Sequence, residues 1–293
     1  MQHLTSTDRL GWEAIVDLAL REDIGTGDIT TIATVPIEAT ASAEILIKQD
    51  GVISGMDVAR FVFERVDPAL VCSDFVANGS IVKQGDIVGR ITGSARSLLT
   101  AERTALNLLQ RLSGIATVTS RYVSELEGTS ASVVDTRKTG PGLRLLEKRA
   151  VADGGGRNHR FGLSDGVLIK DNHLAAVGGP DRVTRAIEQA RRIAPHTLKI
   201  EVEVTTLDEL TEAITAHADI ILLDNMSTPD MAEAVRIRNH AGSTAILEAS
   251  GNVTLTRLRE IAETGVELIS VGALTHSAPA LDISLNLTLD NAR

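Results

Sequence analysis

The segment GGGRNHR, from Gly154 to Arg160, places two arginines and a histidine on a glycine-rich stretch. Arg137 and Lys138 close the apolar run SVVDTRK, and Lys170 closes GVLIKDN. A guanidinium presents a planar fork that matches carboxylate or phosphate with two hydrogen bonds, and an ammonium adds a compact charge. Brought to one place, these groups would hold an anion. The plainer alternative for any single cation is a solvated ion pair with Asp135, Glu147, Asp153 or Asp165 nearby.

Acids and small residues follow the same pattern of placement. Glu201 and Glu203 are two residues apart and share one face of a strand. Asp224 ends the next apolar run, and Glu248 lies near the end of the one after it. Carboxylates inside a barrel must be paired or bound to a cation. Here they could hold Mg²⁺, bond sugar hydroxyls, or stabilise a developing positive charge, and in an empty site Glu203 and Asp224 could pair with Lys138 or Lys170. SGN (Ser250, Gly251, Asn252) and SVG (Ser270, Val271, Gly272) end the last two runs of this kind. Such turns bind phosphate on backbone N–H groups, although a glycine after a strand is also an ordinary turn. There is no GxxxxGK[ST] and no GxGxxG, and His173 and His276 make no metal-ligand spacing with His159.

These side chains need a scaffold that puts strand ends together. From residue 132 onward six apolar runs recur: SVVDTRK, GVLIKDN, IEVEV, IILLDN, AILEASG and ELISVG. Helical patterns over 181–193, 207–218, 229–240 and 255–263 separate most of them. Glu203, Asp224, Glu248 and Ser270 follow one another at 21 to 24 residues, the length of a strand, a helix and two short loops. Repeated βα units imply a parallel sheet buried on both faces, with polar residues at the carboxyl ends of its strands. The expected fold is α/β: an open, incomplete barrel of parallel strands over 116–276, with a doubly wound open sheet as the alternative. Residues 1–115 read as an N-terminal α+β domain, joined by 277–293. In that domain, helical spacing marks 10–21, 55–66 and 97–127, REDIGTGDITT reads as a loop, and ASAEILIKQDGVISG and NGSIVKQGDIVGRITGSA read as strands and turns. APALDISLNLTLDNAR alternates as a returning strand would.

Composition narrows the function. The chain has 293 residues with 29 Lys+Arg against 39 Asp+Glu, and 2% aromatics, which disfavours nucleic acid as a partner. A basic cluster that opposes this net charge of −10 points to a small ligand. Cys72 is the single cysteine, no apolar run reaches membrane-spanning length, and the first residues lack the pattern of a signal peptide; the expected location is the cytoplasm. A phosphate pocket, neighbouring acids and a row of cations suit a phosphorylated sugar with a second anionic substrate. Reaction type does not follow from that.

In order along the chain, TAERTALNLLQRLSGIAT, DTRKTGPGLRLLEKRAV, GGGRNHRFGLSDGVLIKDNH, EVEV, LLDN, EASGN and ISVGALTHS resemble the quinolinate phosphoribosyltransferase family, over nearly the whole sequence. Two positions depart from the pattern: Gly140, where threonine is expected, and Asp153. The resemblance implies a pentosyltransferase of NAD biosynthesis with two domains. Quinolinate and phosphoribosyl pyrophosphate would give nicotinate mononucleotide, pyrophosphate and CO₂, with Mg²⁺. It further implies a homodimer or higher homo-oligomer with shared sites. Arg103 of the neighbouring subunit, Arg137, His159, Arg160 and Lys170 would surround the quinolinate carboxylates. Lys138, Glu203 and Asp224 would be catalytic, facing ribose and pyrophosphate, with Glu203 and Asp224 near the metal. Ser250, Gly251, Asn252, Val271 and Gly272 would hold the 5′-phosphate, and Thr136, Ser270 and His276 complete the expected substrate contacts. Two competing readings are a barrel lyase or aldolase with Lys170 as Schiff-base amine, and a carrier module, since NGSIVKQGDIVG resembles lipoyl-domain strands.

Overall fold

The structure is a computed structural model that describes residues 6–290, with side chains from Gly11 onward. The opening residues in which no signal peptide was read, and the outer ends of the 1–115 and 277–293 spans, lie partly outside the described residues. The elements run α1 (Ser6–Ile24), α2 (Ile29–Thr34), β1 (Thr40–Ile47), β2 (Gly51–Val52), α3 (Met56–Val66), β3 (Val71–Ser73), β4 (Ile81–Val82), β5 (Ile87–Ser94) and α4 (Ala95–Glu125). After these come β6 (Ser132–Val134), α5 (Arg144–Asp153), β7 (Val167–Ile169), α6 (Asp171–Val177), α7 (Arg182–Ile193) and β8 (Ile200–Val204). The remainder is α8 (Leu207–Thr215), β9 (Ile220–Asp224), α9 (Thr228–His240), β10 (Ile246–Ser250), α10 (Leu255–Ala262), β11 (Leu268–Ser270), α11 (Ala273–His276) and β12 (Ile283–Leu289).

The described chain forms two compact units. The first takes the residues up to Ser120, Thr139–Gly155, and those from Thr275 onward. Its antiparallel sheet has the order β12-β1-β5-β3. On β1 the alternation buries Ala41, Ala43, Ile45 and Ile47, and Ala41 to Ile47 pair with Leu289 to Ile283 of β12. The helix α4 buries Leu98, Ala101, Ala105, Leu106, Leu109 and Leu112, and leaves Leu108 half-buried. Small residues on α4 admit other backbone closely. A Cβ on Gly114 would collide with the Pro279 carbonyl, and the Gln110 carbonyl accepts the Leu281 N–H at 2.9 Å.

Two helices depart from the sequence reading. REDIGTGDITT is a loop only at its centre, because Asp28 caps α2 by accepting the Thr31 N–H at 3.0 Å. Thr139–Gly155, inside the span read as barrel, belongs to the first unit and forms α5. That helix is held by charge: Glu147, fully buried, accepts from Arg111 Nε at 2.8 Å, and Arg149 reaches Asp57 at 2.7 Å. Of the two unusual residues, Gly140 lies four positions before this helix and Asp153 is its last residue. The Gly140 N–H donates to Glu147 Oε2 at 3.1 Å, and a Cβ there would sit 3.0 Å from Glu147 Oε1. Threonine at 140 would therefore need the Arg111–Glu147 pair to shift by a few tenths of an ångström. Asp153 accepts from the Ser54 hydroxyl at 2.6 Å, and burial raises its carboxyl above the ordinary value.

The second unit takes Arg121–Lys138 and Gly156–Leu274. Its six strands form a parallel sheet, β6-β11-β10-β9-β8-β7. These are the six apolar runs of the sequence, and every residue of β8 is buried, as a strand covered on both faces must be. The β6 edge is not bare: Arg157 bridges Val134 in parallel, its N–H donating to Val133 and its carbonyl accepting from Asp135. The Arg157 side chain is exposed. The sheet is open and curled, because His159, beyond β6 at one edge, meets Glu201 of β8 near the other.

Candidate active site

The strand register lines the inner face with polar groups. Glu203 pairs with Leu222, Leu222 with Glu248, and Glu248 with Leu268, so Glu203 and Glu248 point the same way. Glu201 precedes Glu203 by two residues, and Asp224 and Ser250, themselves register partners, follow by two. Lys170 comes one residue after Ile169, the partner of Val202, and is level with Glu203. Its ammonium lies 2.9 Å from Glu203 Oε2. Of the two lysines anticipated as partners for Glu203, this is the one that reaches it. His173 fixes the base of this lysine by accepting the Lys170 N–H at 2.8 Å.

Below Lys170 and Glu203 lies a second acidic group. His159 Nε2 is 3.0 Å from Glu201 Oε2 and 3.7 Å from Glu248 Oε1. Neither oxygen of Glu248 reaches a hydrogen-bond partner, and the nearby Ser270 hydroxyl donates instead to the Ala249 carbonyl at 3.3 Å. Burial, and next the Glu201 carboxylate, push the Glu248 carboxyl up to about 7, against the opposing pull of His159. Two carboxylates so close cannot both remain ionised without cost, and a proton on Glu248 removes that conflict. The sequence reading grouped Glu201 and Glu248 with the other acids and named no histidine as their partner. Their meeting with His159 depends on the curl of the sheet, which no local spacing encodes.

Arg160 and Arg137 form a cationic wall. Arg160 Nη1 donates to the Gly166 carbonyl at 2.9 Å, while its Nε is buried with no hydrogen-bond partner. Burial, and then the Arg137 charge, lower the Arg160 guanidinium from its ordinary value. The two guanidiniums disfavour one another, and one keeps an unused buried donor that an anion would satisfy. Thr136 shapes the adjoining turn, its hydroxyl accepting the Lys138 N–H at 3.1 Å, and Lys138 itself is exposed.

The glycine turns are built around a residue that sequence reasoning missed. Gly251 has φ +85, and a Cβ there would collide with the Asn225 side chain. Asn225 follows Asp224 in the left-handed region (φ 54), donates to Asp224 Oδ2 at 2.9 Å and accepts from Asn252 Nδ2 at 3.0 Å. Glycine at 251 thus answers to Asn225, not only to a ligand. Arg257 Nη1 donates to the Asn252 carbonyl at 3.0 Å, adding a cation beside this turn. The second turn is fixed by the Val271 N–H on the Val134 carbonyl (3.0 Å), followed by Gly272. An open groove of about 510 Å³ lined by Arg191, Lys199, His217 and Asp219 lies at the opposite, amino ends of the strands, where Arg191 already bonds the His217 carbonyl at 2.5 Å.

Arg103 and His276 belong to the first unit. Arg103, on α4, keeps 60% side-chain exposure with Glu102 at 3.9 Å, and His276 Nδ1 is 2.5 Å from the Ser277 hydroxyl.

The sequence matches known proteins over almost its entire length. Residues 28–113 fit the quinolinate phosphoribosyl transferase N-terminal domain and residues 115–286 the C-terminal domain. The chain belongs to the quinolinate phosphoribosyltransferase family. A probable carboxylating nicotinate-nucleotide pyrophosphorylase of Synechocystis sp. is 44% identical over 268 residues, 92% of this chain and 90% of that protein. The probable Bacillus subtilis enzyme of the same name is 44% identical over 273 residues, covering 92% and 91%. The crystal structure of NadC from Streptococcus pyogenes superposes with a TM-score of 0.92 at 41% identity, over 99% of this chain and 100% of that one. Family membership accounts for both halves of the sequence, which neither the Schiff-base lyase nor the carrier module does. No helix among the described residues is long and apolar enough to cross a membrane.

Proposed function

We propose that this chain transfers phosphoribosyl from phosphoribosyl pyrophosphate to quinolinate with decarboxylation, a pentosyl transfer of NAD biosynthesis that yields nicotinate mononucleotide, pyrophosphate and CO₂. The observation that carries this reading is the unused buried Nε of Arg160 beside the Arg137 charge, on the inner face that also presents Lys170, Glu203 and Asp224. Arg137, Arg160 and Lys170 take the quinolinate carboxylates, and the 250–252 and 270–272 turns take the 5′-phosphate.

Reaction begins as the anomeric C–O bond breaks and its electron pair leaves with pyrophosphate. Glu203 and Asp224 face the cationic carbon, and Lys138 faces the departing charge. The pyridine nitrogen forms the new bond. The adjacent C–carboxylate bond then breaks, its pair stays on the ring carbon beside the positive nitrogen, CO₂ departs, and a proton completes the product. The protein works by position and charge neutralisation. Quinolinate displaces Lys170 from Glu203, which frees that carboxylate. Glu203 and Asp224, hard oxygen donors on adjacent strands, fit Mg²⁺ carried by the pyrophosphate, and the ion would neutralise leaving-group charge. The deciding assay supplies quinolinate, phosphoribosyl pyrophosphate and Mg²⁺ and looks for nicotinate mononucleotide with stoichiometric pyrophosphate; no product from folded protein would refute the reading.

The working unit is a homodimer or a larger homo-oligomer whose sites take Arg103 from the neighbouring subunit. The exposure of Arg103 supports this. Mixed subunits carrying Arg103→Ala and Lys170→Ala, each inactive alone, should recover activity, since a hybrid dimer holds one intact site. Demonstrated subunit exchange with no recovery would assign Arg103 to another role. A cytoplasmic location is supported by the single, half-buried Cys72.

A further inference from the structure

His159 has both ring nitrogens occupied by its own chain. The Arg160 backbone N–H donates to Nδ1 at 2.7 Å, so Nδ1 carries no proton. The ring proton is therefore on Nε2, aimed at Glu201 Oε2 at 3.0 Å with Glu248 behind it. The His159 backbone N–H donates in turn to Asp135 Oδ1 at 2.8 Å, and Asp135 is fully buried at the end of β6. On the other side, Arg160 is braced by Gly166, the residue that leads into β7. Asp135 thus holds the peptide that enters His159, and the ring, itself seated against β8 and β10, holds the peptide that leaves it for Arg160.

A residue that binds a dicarboxylate through its imidazole would offer a free N–H toward the mouth. This ring spends its one N–H downward, on the Glu201 carboxylate with Glu248 behind it, and its lone pair on the next peptide. Glu201 Oε1 and both oxygens of Glu248 are buried and lack hydrogen-bond partners, so the imidazole has strong acceptors to leave if it turns away.

We infer that His159 is a positioning residue and not a substrate ligand: a strut, seated on Glu201 and Glu248, that fixes the backbone of Arg160 and so aims the guanidinium at a quinolinate carboxylate. The inference rests on Arg160 being a quinolinate ligand. It extends the site to Glu201 and Glu248, which act through the ring. A neutral carboxyl on Glu248, favoured by its burial, lets two acids share the seat.

The test uses the full chain with ¹⁵N-labelled histidine, the His159 signals being assigned by their loss in His159→Ala. Nδ1 should be unprotonated and Nε2 protonated in the free protein, and both should stay so when quinolinate saturates the site. A carboxylate taken directly by the ring would protonate Nδ1 and move its resonance strongly, which would overturn the strut. A kinetic cycle gives a second reading. His159→Ala alone should raise the quinolinate KM by about tenfold or more, and leave the phosphoribosyl pyrophosphate KM within about twofold. Added to Arg160→Ala it should cost no more than about a further twofold, because its effect runs through that side chain. Costs that multiply would place the imidazole on the substrate. Glu201→Gln, which keeps an acceptor for Nε2, should hold quinolinate KM closer to wild type than Glu201→Leu does; equal losses would deny Glu201 its part. The premise fails separately: quinolinate binding that survives Arg160→Ala rejects Arg160 as a ligand, whatever the ring signals do.

Discussion

Arg160→Ala should lower kcat/KM for quinolinate by roughly 2–5 kcal/mol, from about 30-fold to a few thousandfold, with the phosphoribosyl pyrophosphate KM little changed. The range is that for removing one member of a buried, hydrogen-bonded charge pair, and the member lost here presents a buried donor with no other partner. Arg160→Lys should recover little, because an ammonium cannot reproduce a fork already braced on Gly166 through one arm. The ligand-free variant should unfold at no lower temperature than wild type, since burial and the Arg137 charge both act against the guanidinium in the empty protein. Unchanged steady-state kinetics would take Arg160 out of the site.

The largest effect on stability is expected from Arg111→Ala. Glu147 is fully buried, and Arg111 meets its Oε1 through both Nε (2.8 Å) and Nη2 (2.5 Å). Truncating the arginine leaves a charge with only the Gly140 N–H beside it. The loss should be about 3 kcal/mol, the low end for broken buried pairs, because the Arg111 side chain keeps 36% exposure and water can enter behind it. Thermal unfolding should show a midpoint lowered by roughly 6–12 °C. Arg111→Ala/Glu147→Gln should regain most of that, since the amide removes the stranded charge. A midpoint within a degree of wild type for the single variant would mean that Glu147 is satisfied without its arginine.

Arg111 and Glu147 also mark where the sequence stopped being readable. The six parallel strands were legible because a sheet covered on both faces needs unbroken apolar runs, and the polar residue after each run then falls at a carboxyl end. The strand at 283–289 was legible for the opposite reason, its one-sided burial giving alternation. α5 was not, because it buries Glu147 and Lys148 next to Leu146, Ala150 and Val151, so charge stands where an apolar stripe would have shown. At the site, Lys170 and Glu203 could be paired in advance because adjacent strands place them level. His159 with Glu201 and Glu248 could not, since the contact closes only when a segment beyond one edge folds back over the sheet. Asn225 was hidden as an ordinary turn residue until Gly251 was seen against it.

The pairing of β12 with β1 sets a timetable for biosynthesis. During translation β1 emerges early, yet its outer edge stays without a partner until the last strand leaves the ribosome. The amino-terminal sheet is thus finished after the parallel one, and a nascent chain stalled short of 283 carries an open strand edge, the kind of surface that chaperones cover and that seeds aggregation.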